Sequence, residues 1–177
     1  MISSHLTKIV DELGISTALL VERGLCECEE ADCLEIAEID SDGREHLLIA
    51  PAAEAWRSLR ASARADDVAL FIVSAFRSVQ RQAEIVRGKL NAGIPLAEVL
   101  SVCAPPGFSE HHSGRAVDVS TEGTTPLEID FDRTSAFAWL TTHARDFGFS
   151  LSYPPGNASG YQYEPWHWCF TSKKKRP

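Results

Sequence analysis

Four residues in the second half of the chain have the types and spacing of a metal site with an attendant base. His111 and Asp118 fall seven residues apart in Ser109-Glu110-His111-His112-Ser113-Gly114-Arg115-Ala116-Val117-Asp118, and His167 closes the stretch Glu164-Pro165-Trp166-His167. A mononuclear catalytic zinc takes three protein ligands from His, Asp, Glu or Cys and keeps a fourth position for water. His111, Asp118 and His167 supply that number. Glu164, three residues before His167, is left over as a proton acceptor.

The elements that must position these groups are legible around them. Gly114 lets the backbone turn between a loop carrying His111 and a strand carrying Asp118. Arg115 to Val119 reads as a short strand, with Ala116 and Asp118 on one face and Val117 and Val119 on the other. Trp166 to Phe170 is also strand-like, with Trp166 and Trp168 sharing one face and His167 on the opposite one. Two adjacent strands would aim Asp118 and His167 at one point, with His111 arriving from the loop. His112 is set aside as a ligand, because neighbours on an extended backbone point opposite ways.

The pattern Ser109-x-His111-x-x-Gly114-x-Ala116-x-Asp118 followed by Glu164-x-Trp166-His167 resembles the zinc D-alanyl-D-alanine carboxypeptidases of the VanY type, within the LAS-type metallopeptidases. Upstream, Ser74-Ala75-Phe76-Arg77-Ser78-Val79-Gln80-Arg81-Gln82 is similar to that family's Ser-x-Tyr-Arg-Ser-x-x-x-Gln block, with Phe76 where Tyr is usual. The resemblance covers roughly residues 51–170, about two thirds of the chain. It implies one zinc per chain held by His111, Asp118 and His167, with Glu164 as base. It places Arg77 and Gln82 near the reacting carbonyl or the substrate, and makes Ser109 a further substrate-binding residue. The implied reaction is hydrolysis of the terminal D-Ala-D-Ala amide of a peptidoglycan stem peptide or a similar D-Ala-D-Ala-containing peptide.

Three other readings fit parts of the pattern. Two are enzymes of the same superfamily: an L,D-carboxypeptidase and a peptidoglycan endopeptidase. Phage-type endopeptidases similar to the family tend to carry His-Phe-Glu where this chain has Glu-Pro-Trp-His, which ranks that reading lower. The third is a non-catalytic, metal-stabilised cell-wall binding module. A structural zinc would need neither Glu164 nor a spare coordination position, and this disfavours the module.

Composition agrees with a single soluble domain, and a monomer is the expected state. The chain has 177 residues, 44% hydrophobic and 24% charged, with a net charge of −8 that argues against nucleic acid as a partner. Its longest purely apolar runs, such as Val68 to Val73, fall far short of the ~20 residues a spanning helix needs. No signal peptide is legible: Ile15 to Val21 is flanked by Asp11 and Glu12 on one side and by Glu22 and Arg23 on the other. That points to the cytoplasm, whereas the expected substrate class often lies outside the membrane. Five cysteines cannot all pair within the chain. Cys26, Cys28 and Cys33 read as reduced thiols rather than as a second metal site, and Cys103 and Cys169 as small buried residues.

The expected fold class is α+β, a small, mainly antiparallel sheet that carries the metal with helices packed against it. Residues 1–50 form an N-terminal extension on the same domain. Leu6, Ile9, Val10 and Leu13 have helical spacing, and Leu34 to Ile39 and Glu45 to Ile49 bracket an Asp-Gly turn as a β-hairpin. Residues 51–172 form the metallopeptidase domain, with helices over 52–65, 79–91, 96–102 and 134–147 and strands over 68–73 and 149–153. Residues 154–160 form a turn-rich loop that suits a flap over the cleft. Residues 173–177 are a basic, solvated tail.

Overall fold

The computed structural model describes residues 3–171, and the basic run Lys173–Arg176 lies outside them. Two short helices open the chain, α1 (Ser4–Glu12) and α2 (Thr17–Glu22). The hydroxyls of Ser3 and Ser16 accept from Leu6 N and Leu19 N and cap the two helices. α1 matches the expected helix. α2 has no counterpart in the sequence reading, because six residues are too few for a helical period to show. The hairpin follows, β1 (Glu35–Ile39) and β2 (Glu45–Leu48). Its turn is held by Asp40 Oδ1, which accepts from Asp42 N and Arg44 N, and by Gly43 at φ 80°.

α3 (Ala50–Ala65) starts with Pro51 in its first turn, where a missing N–H costs nothing. β3 (Phe71–Ser74) begins three residues later than the apolar run suggests. The carbonyls of Ala69 and Leu70 are taken by side chains, Thr121 Oγ1 at 2.7 Å and Arg60 Nε at 2.9 Å. α4 (Val79–Asn91) is capped by Ser78, and α5 (Leu96–Val102) follows. β4 (Ala116–Ser120) is buried along its whole length. The next irregular stretch contains a 3₁₀ turn, Ile129–Arg133, that buries Phe131. α6 (Ser135–His143) ends earlier than its apolar spacing suggests, and a 3₁₀ turn, Ala144–Phe147, completes the segment up to Gly148 at φ 86°. β5 (Phe149–Leu151) and β6 (His167–Phe170) close the chain.

β3 to β6 form one antiparallel sheet in the order β3-β4-β6-β5, and β1-β2 forms a separate ribbon. The architecture is α+β. Its register decides the site: Asp118 on β4 faces Ser74 on β3 and His167 on β6. Val117 and Val119 turn the other way, into a core with Trp56 and Leu59 of α3, Leu140 of α6 and Trp168 of β6. One face of the sheet is therefore sealed by apolar packing, and the other presents Asp118 and His167.

A second core joins the N-terminal helices to α4 and α5. Val10, Leu13, Ile15 and Leu20 pack with Ala83, Val86, Val99, Leu100 and Phe108. Burial of an aliphatic side chain is worth roughly 1.5–3 kcal/mol, so four such residues hold this segment firmly on the body.

Candidate metal centre

Three elements bring the expected donors together. Asp118 comes from the middle of β4, His167 opens β6, and His111 sits in a one-turn 3₁₀ helix, Glu110–Ser113. Gly114 ends that turn at φ 63°, in the left-handed region where glycine is favoured. A ligand atom from each of His111, Asp118 and His167 lies within 4.8 Å of the others, and all three residues are buried. His111 Nε2 is 3.2 Å from Asp118 Oδ2, and His167 Nδ1 is 3.0 Å from Asp118 Oδ1. The two imidazole rings stand perpendicular at 4.9 Å.

The outer nitrogens are already committed. His111 Nδ1–H donates to Ala75 O at 2.7 Å, and His167 Nε2–H donates to Glu110 Oε2 at 2.9 Å. Both partners only accept, so each ring turns its other nitrogen toward Asp118. A carbonyl or carboxylate behind a ligating histidine is the usual way to fix its tautomer. Burial lowers the pKa of His111 and keeps the ring neutral despite Asp118. Its Nε2 lone pair then faces a carboxylate oxygen with no proton between them, an arrangement that a cation relieves. At His167 burial opposes the charged form, yet the hydrogen bonds that its ring donates to Asp118 and Glu110 win and push the imidazole up to about 10. A cation would take over the charge that this proton supplies. The donor set thus fits a divalent metal.

Glu164 stands beside this group as expected. Its Oε2 is 3.8 Å from His167 Nδ1, and the side chain is only 13% exposed. Glu164 N donates to Tyr153 O and His167 N donates to Glu164 O, a turn that fixes the carboxylate next to the ring. Burial, reinforced by Asp118 and opposed by His167, raises its carboxyl to about 7. Arg77 also reaches the centre, with Nη2 at 3.9 Å from Asp118 Oδ2. Its Nη1 and Nη2 donate to Gln82 Oε1 and Ser74 Oγ, both at 2.9 Å.

Two expected placements change. Gln82 is buried behind Arg77 and does not line the cleft. Its Nε2 donates to Ala104 O at 2.6 Å and to Cys103 Sγ at 3.1 Å, so every polar atom of its amide is engaged within the protein. It holds Arg77 rather than facing a substrate. His112 lies on a 3₁₀ turn, not on an extended backbone. It stays out of the cluster because both its nitrogens are used: Gly107 N–H donates to Nε2 at 3.0 Å, and Nδ1–H donates to Arg77 O at 2.6 Å. Ser109 is buried and lines the cleft.

The structure also brings in residues that the motifs did not single out. Glu110 supports His167 and accepts a second hydrogen bond from Ser152 Oγ at 2.6 Å. Its one sequence signal is an acidic residue adjacent to His111. Tyr153 lies against the His167 ring at 4.7 Å. The cleft above the centre has a volume of about 460 Å³. Arg77, Ser109, Tyr153, Tyr161 and Glu164 line it, together with Lys89, Val102, Leu127 and Ile129. Among the described residues, Cys26 and Cys33 are exposed, and Cys103 and Cys169 are buried.

Similar proteins share this frame. The profile of the VanY D-alanyl-D-alanine carboxypeptidase family matches residues 45–173. A D-alanyl-D-alanine carboxypeptidase of Enterococcus faecalis is 30% identical over 147 residues, covering 77% of this chain and 52% of that protein. The chain spans about half the length of the curated relatives it first matches. The solved structure of the LdcB LD-carboxypeptidase superimposes with a TM-score of 0.74 at 28% identity, covering 82% of this chain and 71% of that one. A variant of the vancomycin-resistance D,D-pentapeptidase VanY, solved in complex with Zn(II), gives 0.60 at 27% identity, covering 81% of this chain and 85% of that one. The match runs from β2 to the end of the sheet and takes in every donor of the candidate centre, and the chain belongs to the VanY D-alanyl-D-alanine carboxypeptidase family.

Proposed function

We propose that the protein is a zinc-dependent D,D-carboxypeptidase that removes the terminal D-alanine from peptidoglycan-type stem peptides. The observation that carries this reading is a complete three-donor group with one half-buried carboxylate, Glu164, left over beside it at 3.8 Å from His167. His111 Nε2, Asp118 and His167 Nδ1 hold one zinc ion per chain. Bound there, zinc supplies a Lewis acid that polarises a carbonyl and acidifies water. A site of purely structural use would leave no reason for a spare carboxylate at its edge.

The chain's own residues divide the remaining work. Glu164 takes a proton from the attacking water on one carboxylate oxygen and passes it to the leaving amine. Burial raises its pKa in the metal-free protein and a bound cation would lower it again, so the carboxylate is ready to accept a proton at neutral pH. Arg77, fixed by Gln82 and Ser74, meets the developing oxyanion or the substrate's terminal carboxylate. Ser109 offers a hydroxyl to the substrate from the cleft floor. Tyr153 covers the His167 ring and excludes water from that side.

L,D-carboxypeptidase activity is the second reading, supported by the close superposition on LdcB. Zinc-loaded protein incubated with tri-, tetra- and pentapeptide stems, with products read by mass, separates the two. Loss of D-alanine from the pentapeptide alone supports the D,D reading, and loss from the tetrapeptide supports the L,D one. Amidating the peptide's C-terminus should greatly reduce cleavage. Equal rates on free and amidated peptides would instead favour an endopeptidase.

A further inference from the structure

The residues ahead of the family match touch every loop that carries a motif. The Glu30 carboxylate accepts from Val79 N at 2.6 Å, next to the Arg77 block. Cys28 N and Ala31 N donate to Gly107 O and His112 O at 2.7 and 2.8 Å, on either side of Ser109 and His111. Arg23, at the C-terminal end of α2, makes the longest reach. Its Nε and Nη2 donate to Ser159 O at 3.0 and 2.8 Å, and its Nη1 donates to Leu100 O at 2.8 Å. The guanidinium carbon lies 4.5 Å from the centroid of the Tyr161 ring.

Those contacts join two walls of the cleft. Leu100 belongs to α5, whose last residue, Val102, lines the cleft together with Cys103 and Ala104. Ser159 and Tyr161 belong to the loop that leads to Glu164. A bond from Gln162 N to Ser101 O at 2.8 Å runs beside the Arg23 bridge. Tyr161 packs edge-on to Tyr153 at 4.8 Å, and Tyr153 lies on His167. The Tyr161 hydroxyl is buried and has no hydrogen-bond partner among the described residues. The ring is therefore held by its faces, between Arg23 and Tyr153, and not by its polar end. Only a planar guanidinium can sit over the ring and fork to two carbonyls at once.

We propose that Arg23 is a positioning residue for peptide binding. It locks Tyr161 and the 154–163 loop against α5, so the cleft is formed before a substrate arrives. An ordered loop spares the substrate the cost of ordering it, and its loss weakens binding more than the chemical step. The choice of peptide as ligand rests on the carboxypeptidase reading; the clamp itself does not.

The test uses the full-length, zinc-loaded protein and a stem pentapeptide. Arg23→Ala should raise KM about tenfold, with kcat within about threefold of wild type and zinc content unchanged. Arg23→Lys, which keeps the charge but not the fork, should fall between the two. Tyr161→Leu should also raise KM, and the double variant should be no worse than the worse single one, as expected when one residue acts through the other. Arg57→Ala, which removes an exposed guanidinium on α3, should leave both constants unchanged. Wild-type KM in Arg23→Ala, additive effects in the double variant, or a parallel loss of kcat and zinc would each overturn the proposal. Hydrogen exchange at residues 156–162 reads the clamp without any substrate. Faster exchange confined to that loop in Arg23→Ala supports it, and an unchanged pattern overturns it. A wild-type protein inert on every peptide would sink the carboxypeptidase reading and leave the exchange result to decide the clamp.

Discussion

At the scale of single residues, the centre depends on which atoms are left without partners once the fold is made. Among the described residues no side chain donates a hydrogen bond to the Glu164 carboxylate, and burial raises its pKa. Glu164→Gln keeps its size but cannot accept a proton. It should retain zinc and fold and lose kcat by about 10²–10⁴-fold, the usual worth of a positioned general base. Near-wild-type kcat in a zinc-replete variant would remove Glu164 from that role. A base acts only when deprotonated, so kcat/KM should fall as pH drops through the pKa of Glu164. That value is about 7 without a metal ion, and a bound cation lowers it. An acid limb above pH 8 would contradict the assignment. Glu110 acts one step further out, since its carboxylate holds the His167 ring by Nε2–H. Glu110→Ala should weaken zinc affinity about 10–100-fold, as measured by competition with a chelator, and an unchanged affinity would show that Tyr153 alone fixes the ring.

At the scale of elements, the site is made by strand register and by one turn. Pairing of β4 with both neighbours sets Asp118 opposite Ser74 and His167, so β3 and β6 deliver Arg77's support and a donor to the same point. A slip of one residue would send Asp118 into the apolar core and Val117 into the cleft. The turn that presents His111 closes on Gly114, whose carbonyl accepts from Ile49 N. A Cβ added there would lie 2.9 Å from Leu34 Cδ2 and 3.2 Å from Ile49 N, and the backbone has φ 63°. Gly114→Ala should therefore lower stability by about 1–3 kcal/mol, from backbone strain together with the close backbone contact. Denaturant unfolding would measure it, and an unchanged midpoint would show that the hairpin end yields without cost.

At the scale of the molecule, metal binding at the candidate centre would be linked to folding. The three donors come from positions 111, 118 and 167 and meet only in the folded chain. A ligand at about a hundred times its Kd that binds only the folded state adds about 2.7 kcal/mol, which for a chain of this size raises Tm by roughly 5–10 °C. Chelation should lower the Tm of the wild type by that amount and leave His167→Ala nearly unmoved. Equal shifts in both proteins would place the metal elsewhere. The second core ties the N-terminal helices into the same unit, so the centre is braced from segments at both ends of the sequence.

The sequence by itself determined the α+β class, the alternation that puts Val117 and Asp118 on opposite faces, and the candidates His111, Asp118, His167 and Glu164 that the fold brings together. These properties are local: they follow from residue type, from the period of a strand and from a glycine at a turn. Only the tertiary structure decided that Gln82 is a buried support for Arg77, that Glu110 holds His167, and that Arg23 reaches the Tyr161 loop. Each of those depends on contacts between distant segments. Gln82 is taken up by the Ala104 carbonyl, and Arg23 meets Ser159 from 136 positions away. A polar side chain bonds to whatever the packed backbone brings within about 3 Å, and its neighbours in the chain do not specify what that will be.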